Sequence, residues 1–411
     1  MMKRRDFLEL TGALSATALT AMRAQAQRAA PKSEYDYVDW SWERWRKITG
    51  ATRPRLVTEQ TGRAELTDLL IRSGEKINSP EQWQSQRNAI KRVLQVFLGA
   101  PPNTKPPLEP KVIEETTRGN YTLRKLVYQT EPGEFVPAYL LAPKNLNARA
   151  PVVICPHQTT QEGKREPAGL AGNPQLHTAS HLVERGYVTF TYDALCFGER
   201  HNAASGHYGD AIPFYHKHPR WSLMGKMVWD VRRAIDYLQT LDFVDAARIG
   251  SIGHSHGGYT TLVAMAFDER IKAGVSNCGF DTFRLDGNTW RWSRATALLP
   301  LLGFYVSSQR LNMDFYRAVP DSGVIEVPFE THQLLALIAP RPLLLSTSDE
   351  DFVFPNGGWS ARRALARLAP VYELLNARDR LESYYFSGGH SFPTEASSRA
   401  YDWLDRWLKS R

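Results

Sequence analysis

Ala247-Arg-Ile-Gly-Ser-Ile-Gly-His-Ser-His-Gly-Gly258 decides the reading of this chain. The run is apolar up to Ile252, as a buried strand would be, and the pattern over 258–267 is helical. Between them, Gly253-His254-Ser255-His256-Gly257 has the form G-x-S-x-G. A serine on so sharp a strand-to-helix turn projects its hydroxyl from strained backbone. Side chains two residues to either side would collide with the neighbouring strand and helix. The stretch therefore predicts Ser255 as a nucleophile at the carboxyl end of a core strand.

Outward from it, apolar strands alternate with helices. Strand patterns lie over 152–155, 187–192, 273–276, 343–345 and 383–386, with helical patterns over 176–185 and 222–241. Continuous apolar strands separated by helices specify an α/β domain with a mostly parallel sheet covered on both faces. Right-handed crossovers make it doubly wound. Upstream, 121–128 and 135–141 flank a Pro-Gly turn and read as an antiparallel hairpin.

A serine is a poor nucleophile unless a base takes its proton and an acid orients that base. Gly388-Gly-His390 directly follows the last strand, and Asp349-Glu-Asp351 follows the strand before it. His390 is the expected base. Asp351 is the preferred acid, with Asp349 next and Glu350 third. The backbone N–H of His256, at a helix N-terminus, is the expected first donor of an oxyanion hole. The second comes from the loop after 152–155, from Gln158 or Thr159. The rings of His157, His254 and His256 flank this region and read as packing groups.

The N-terminus has another character. Lys3-Arg-Arg-Asp-Phe-Leu8, an apolar stretch over 10–21 and Ala24-Gln-Ala26 read as a basic region, a hydrophobic core and a cleavage site. The paired Arg4-Arg5 resembles a twin-arginine signal. Residues 1–26 are thus expected to be a signal peptide, read by the twin-arginine export machinery, of a periplasmic or secreted protein. Residues 27–110 read as a helical extension without chemistry of its own. Within it, Trp40, Trp42 and Trp45 suggest a helix packed over something larger. Ser79-Pro-Glu-Gln82 opens a helix to about Phe97, and a proline-rich linker ends at Pro110.

An insertion at about 281–338 is rich in aromatics and reads as a cap, with a helix over 295–302. Its Trp290, Trp292 and Tyr305 are candidate substrate-binding rings. Cys155, Cys196 and Cys278 are odd in number and lie in or beside core strands, as buried free thiols would. The net charge of +8 is spread along the chain, and no later stretch is long and apolar enough to span a bilayer. Neither a nucleic-acid partner nor a membrane span is expected.

Residues 120–411 resemble the α/β-hydrolase superfamily, in its dienelactone-hydrolase-like and acetyl-xylan-esterase-like branch, close to the prolyl-oligopeptidase catalytic domain. The resemblance rests on His157-Gln158, Tyr192-Asp-Ala-Leu-Cys-Phe-Gly-Glu-Arg200, Gly253-His-Ser-His-Gly-Gly258, Asp351 with Pro355, and Gly388-Gly-His390. The loop at 157–159 reads His-Gln-Thr where many relatives have His-Gly, and 27–110 is too short for an oligopeptidase propeller. The resemblance implies a serine hydrolase that cleaves carboxylic esters through an acyl-enzyme, without a cofactor. Its substrates would be small-molecule or oligosaccharide esters, with short acyl groups such as acetyl on carbohydrate-like alcohols. Competing expectations are a peptidase or amidase with the same triad, a metal-dependent hydrolase built on His201, His207, His216 and His218, and a non-catalytic binding module.

Overall fold

In a computed structural model, which describes residues 42–61, 65–206, 208–283, 292, 296–306 and 325–409, the apolar runs become the centre of a nine-stranded sheet. Its strands are β1 (Lys111–Arg118), β2 (Tyr121–Glu131), β3 (Glu134–Pro143), β4 (Ala150–Ile154), β5 (Val188–Tyr192), β6 (Val244–His254), β7 (Ile271–Asn277), β8 (Leu343–Ser348) and β9 (Leu381–Phe386). They are ordered β9-β8-β7-β6-β4-β5-β3-β2-β1. Strands β4 to β9 run parallel, and β3, β2 and β1 are added antiparallel at one side. The segment 1–26, Trp40, His207, Trp290 and residue 295 lie outside the described residues.

Successive residues of a strand point to opposite faces, and the core divides accordingly. Val152 and Ile154 join one buried cluster, whereas Val153 and Cys155 join the other; Leu343 and Leu345 part from Leu344 in the same way. Among the helices are α1 (Trp42–Thr49), α2 (Pro80–Leu98), α3 (Thr178–Glu184), α4 (Leu223–Leu238), α5 (His256–Phe267), α6 (Thr331–Ala336), α7 (Gly357–Leu374) and α8 (Thr394–Leu408). Buried residues of α3 and α8 belong to one cluster, and those of α4, α5 and α7 to the other. The chain is thus a doubly wound α/β-hydrolase fold. All three cysteines are free and buried.

Three regions add to or correct the reading of the sequence. Residues 111–118 form the edge strand β1, which is almost wholly exposed and so lacks any apolar alternation to betray it. The extension is knitted into the body: Arg87 of α2 donates to the Leu337 carbonyl (2.9 Å), and Trp42 Nε1 to the Pro300 carbonyl (2.7 Å). A short strand, Glu59–Thr61, also pairs antiparallel with Ile325–Val327 of the insertion. The last part of that insertion is not cap, because α6 is buried against α2, α5 and α7. Within the described part of 295–302, only Pro300–Leu302 is helical, as one 3₁₀ turn. Among the described residues no helix is long and apolar enough to cross a membrane.

Candidate active site

Strand β6 ends at His254 and helix α5 begins at His256, so Ser255 alone makes the turn. Its φ of 52° and ψ of −117° are unfavourable for a residue with a side chain. Two glycines make the turn possible. A Cβ on Gly253 would lie 2.2 Å from the Gly257 carbonyl carbon, and one on Gly257 would lie 2.1 Å from the Pro156 oxygen. The close approach is therefore between the two glycines and the loop after β4. The Ser255 N–H donates to the Asn277 carbonyl (2.9 Å), which fastens the elbow to the end of β7.

The loops after β8 and β9 meet beside it. His390 Nδ1 lies 2.9 Å from Asp351 Oδ2 and 3.1 Å from Oδ1. Oδ1 also accepts from the Val353 (2.8 Å) and Phe354 (2.9 Å) amides. Burial raises the Asp351 pKa, but the hydrogen bond and charge of His390 and the two amides outweigh it and hold the carboxyl below its usual value. A carboxylate only accepts, so Nδ1 carries the ring proton and Nε2 is left with a lone pair. The other two candidates face elsewhere. Asp349 is exposed and paired with Arg362 (2.7 and 2.8 Å), and Glu350 accepts from the Gly388 amide (3.1 Å).

Because β4 and β6 are neighbours, the Pro156–Thr159 loop lies against the start of α5. His256 Nδ1 is 3.3 Å from the His157 carbonyl, and its ring packs against Phe197 and Tyr259. His157 Nε2 accepts from the Ala194 amide (3.1 Å), which braces this loop on the loop after β5. The Gln158 side chain donates to Glu166 (3.1 Å), and Thr159 is half-buried in the same loop. Burial, with the charge of His390, pushes His254 well below the usual histidine value. Its neutral ring lies 4.5 Å from that of His390.

A family model described as "Glucuronyl esterase, fungi" matches residues 153–375, which is more than half of the chain and contains the elbow and the acid loop. The chain belongs to that family. Among curated relatives, it is 25% identical over 357 residues to a 4-O-methyl-glucuronoyl methylesterase of Phanerochaete carnosa, covering 83% of this chain and 80% of the relative. It is 27% identical over 318 residues to the putative hydrolase YtaP of Bacillus subtilis, covering 76% and 96%. A solved glucuronoyl esterase from Solibacter usitatus superposes with a TM-score of 0.65 at 19% identity, covering 85% and 98%, and shares the fold. Membership places the chain among the carboxylesterases of the α/β-hydrolase superfamily.

Within this glucuronyl esterase family member, the two described aromatic candidates of the insertion, Trp292 and Tyr305, are enclosed by protein. Trp292 packs on Tyr259 and Phe283, with ring centroids 4.8 and 5.7 Å away. Tyr305 donates its hydroxyl to the Pro54 carbonyl (2.7 Å) and is covered by Arg53. The exposed ring beside His390 is instead Phe352, 56% accessible and 6.1 Å from the imidazole. The described histidines of the metal-hydrolase alternative have separate surroundings: His201 pairs with Asp210 (2.7 Å), His218 with Glu131 (2.7 Å), and His216 is exposed. No group of metal-ligand type among the described residues includes them.

Sequence reading missed Asn277 and Asp193. The Asn277 amide donates to His254 Nδ1 (2.7 Å) and the Ser391 carbonyl (2.8 Å), and accepts from Ser346 (2.8 Å). Asp193 is fully buried and accepts from both the amide (2.8 Å) and the ammonium (2.7 Å) of Lys164. Asp193 and Arg200 lie in the Tyr192–Arg200 stretch that carries part of the superfamily resemblance, which was the available signal. Nothing in the sequence pointed to Asn277.

Proposed function

We propose that the chain is a serine carboxylesterase acting on carbohydrate esters, with Ser255 as nucleophile, His390 as base and Asp351 as the acid that orients it. The observation that carries this reading is the Asp351–His390 pair, 2.9 Å apart, in loops at the same end of the sheet as the strained Ser255 elbow. In the mechanism, His390 Nε2 takes the Ser255 proton as Oγ attacks the ester carbonyl. The backbone amides of His256 and of Gln158 or Thr159 hold the oxyanion, and the dipole of α5 adds to them. The imidazolium then gives its proton to the departing alcohol, and water repeats the sequence to release the acid. Asp351 stays ionised throughout and stabilises the imidazolium.

The names of the relatives support a uronic acid as the acyl part: a methyl ester of 4-O-methylglucuronic acid. The rival expectation, acetyl on a sugar hydroxyl, puts the carbohydrate on the other side of the scissile bond. A rate comparison between methyl glucuronate and an acetylated xylo-oligosaccharide separates them. Faster turnover of methyl glucuronate, lost in Ser255→Ala, is the expected result; faster acetate release would move the assignment to a deacetylase. The segment 1–26 supports export, and N-terminal sequencing of the secreted protein should begin at Gln27.

A further inference from the structure

Cys278, the residue after β7, lies among groups of metal-ligand type. Its Sγ, a carboxylate oxygen of Asp351 and a ring nitrogen of His390 are all within 4.8 Å of one another, the one such trio among the described residues. A tetrahedral zinc ion, with Zn–S of about 2.3 Å and Zn–N and Zn–O of about 2.0 Å, needs its ligand atoms about 3.2–3.8 Å apart. The Asp351–His390 contact at 2.9 Å needs to open by a few tenths of an ångström, and the separations from Sγ, at most 4.8 Å, to close by up to about 1 Å. Thiolate and carboxylate together neutralise a dication, and the fourth position stays open to water. The His390 side chain is 11% exposed, so an ion has a route in. Cys155 and Cys196 are equally buried but have no such companions among the described residues.

We propose that Cys278 Sγ, Asp351 and His390 Nδ1 form an inhibitory site for a thiophilic divalent cation such as zinc. Binding forms the Zn–S, Zn–O and Zn–N bonds in place of bonds from the ion to water. It breaks the S–H bond, whose proton goes to solvent, and the Nδ1–H bond, whose proton is lost to solvent while another is taken up at Nε2. The Nδ1 lone pair now belongs to the metal, so the ring proton sits on Nε2. The imidazole remains neutral but has become a donor on the side that must accept the Ser255 proton, and turnover stops. The cation is a reversible inhibitor and supplies no chemistry. The binding half stands on geometry alone; the inhibitory half rests on His390 being the base.

The test uses the full-length protein, stripped with chelator. Cadmium titration followed by thiolate-to-metal absorbance, and zinc titration by calorimetry, should each give one site per chain. Zinc should abolish ester turnover, and chelator should restore it. Cys278→Ser, which keeps basal activity, should bind cadmium at least about tenfold more weakly and resist zinc to the same degree. Cys155→Ser should behave as wild type. Ser255→Ala, inactive by the reading above, should bind both ions normally, so the site can be scored without turnover. Absence of stoichiometric binding, or equal binding by wild type and Cys278→Ser, would overturn the site. Binding without inhibition would support the site and overturn His390 as the base.

Discussion

Asp349 and Asp351 stand two residues apart on one loop with opposite surroundings. Asp349 makes an exposed ion pair with Arg362, a kind of contact that adds little to stability. Asp351 is buried, receives two backbone amides and holds Nδ1 of His390. Asp351→Asn should therefore lower kcat by about 10³–10⁴-fold, because an amide presents a donor where an acceptor fixed the tautomer. Asp349→Asn should stay within about twofold of wild type in the same assay. Ser255→Ala and His390→Ala should each remove nearly all turnover with melting temperature little changed. Since triad members act as a unit, the double variant should be scarcely worse than either single one. Additive losses would mean that the two residues act independently, contrary to a shared proton relay.

Strands β6, β7 and β8 and the loop after β9 are tied by one buried amide. Asn277, closing β7, reaches His254 at the end of β6, Ser346 in β8 and the Ser391 carbonyl beside His390. Asn277→Ala leaves those groups unpaired and frees the His390 loop. Expected are a 10–100-fold fall in kcat, as an order-of-magnitude estimate, with KM little changed. Loss of KM rather than kcat would show that Asn277 shapes the binding surface instead. These partners are 23, 69 and 114 residues away in the chain, and no local pattern encodes such a link. Strands β4 to β9 were legible for the opposite reason: buried on both faces, they are apolar runs between helices. Ser255, His390 and the acid loop followed from their places after those strands. β1 escaped because an exposed edge carries no hydrophobic signature, and Trp292 and Tyr305 misled because an aromatic that packs a core has the same composition as one that faces a ligand.

At the scale of the whole molecule, the antiparallel and parallel parts of the sheet are joined under the loops by buried charge. Lys226 of α4, wholly inaccessible, lies 2.7 Å from Glu131, 2.9 Å from Asp230 and 3.2 Å from Glu134. Arg200 bonds Asp230 (2.8 Å) and Glu134, and so carries the network from the β2–β3 hairpin to the loop after β5. Such a cluster holds only while every charge has its partner. Burial raises the Glu134 pKa, but the charges of Lys226 and Arg200 outweigh it and bring the group from 4.5 down to about 2. A carboxyl depressed in the folded state stabilises the fold above its unfolded value and loses that contribution as pH falls through the folded one. For Glu134 the window is pH 4.5 to about 2, and the contribution at neutral pH is about 3 kcal/mol. Glu134→Gln should thus melt well below wild type at pH 7, and the gap should narrow steadily on acidification through that window. Thermal unfolding of the two proteins from pH 7 to pH 2 measures it. A gap that keeps its size down to pH 2 would mean that Glu134 acts through its shape and hydrogen bonds, and that the charge network does not set the acid limit of the fold.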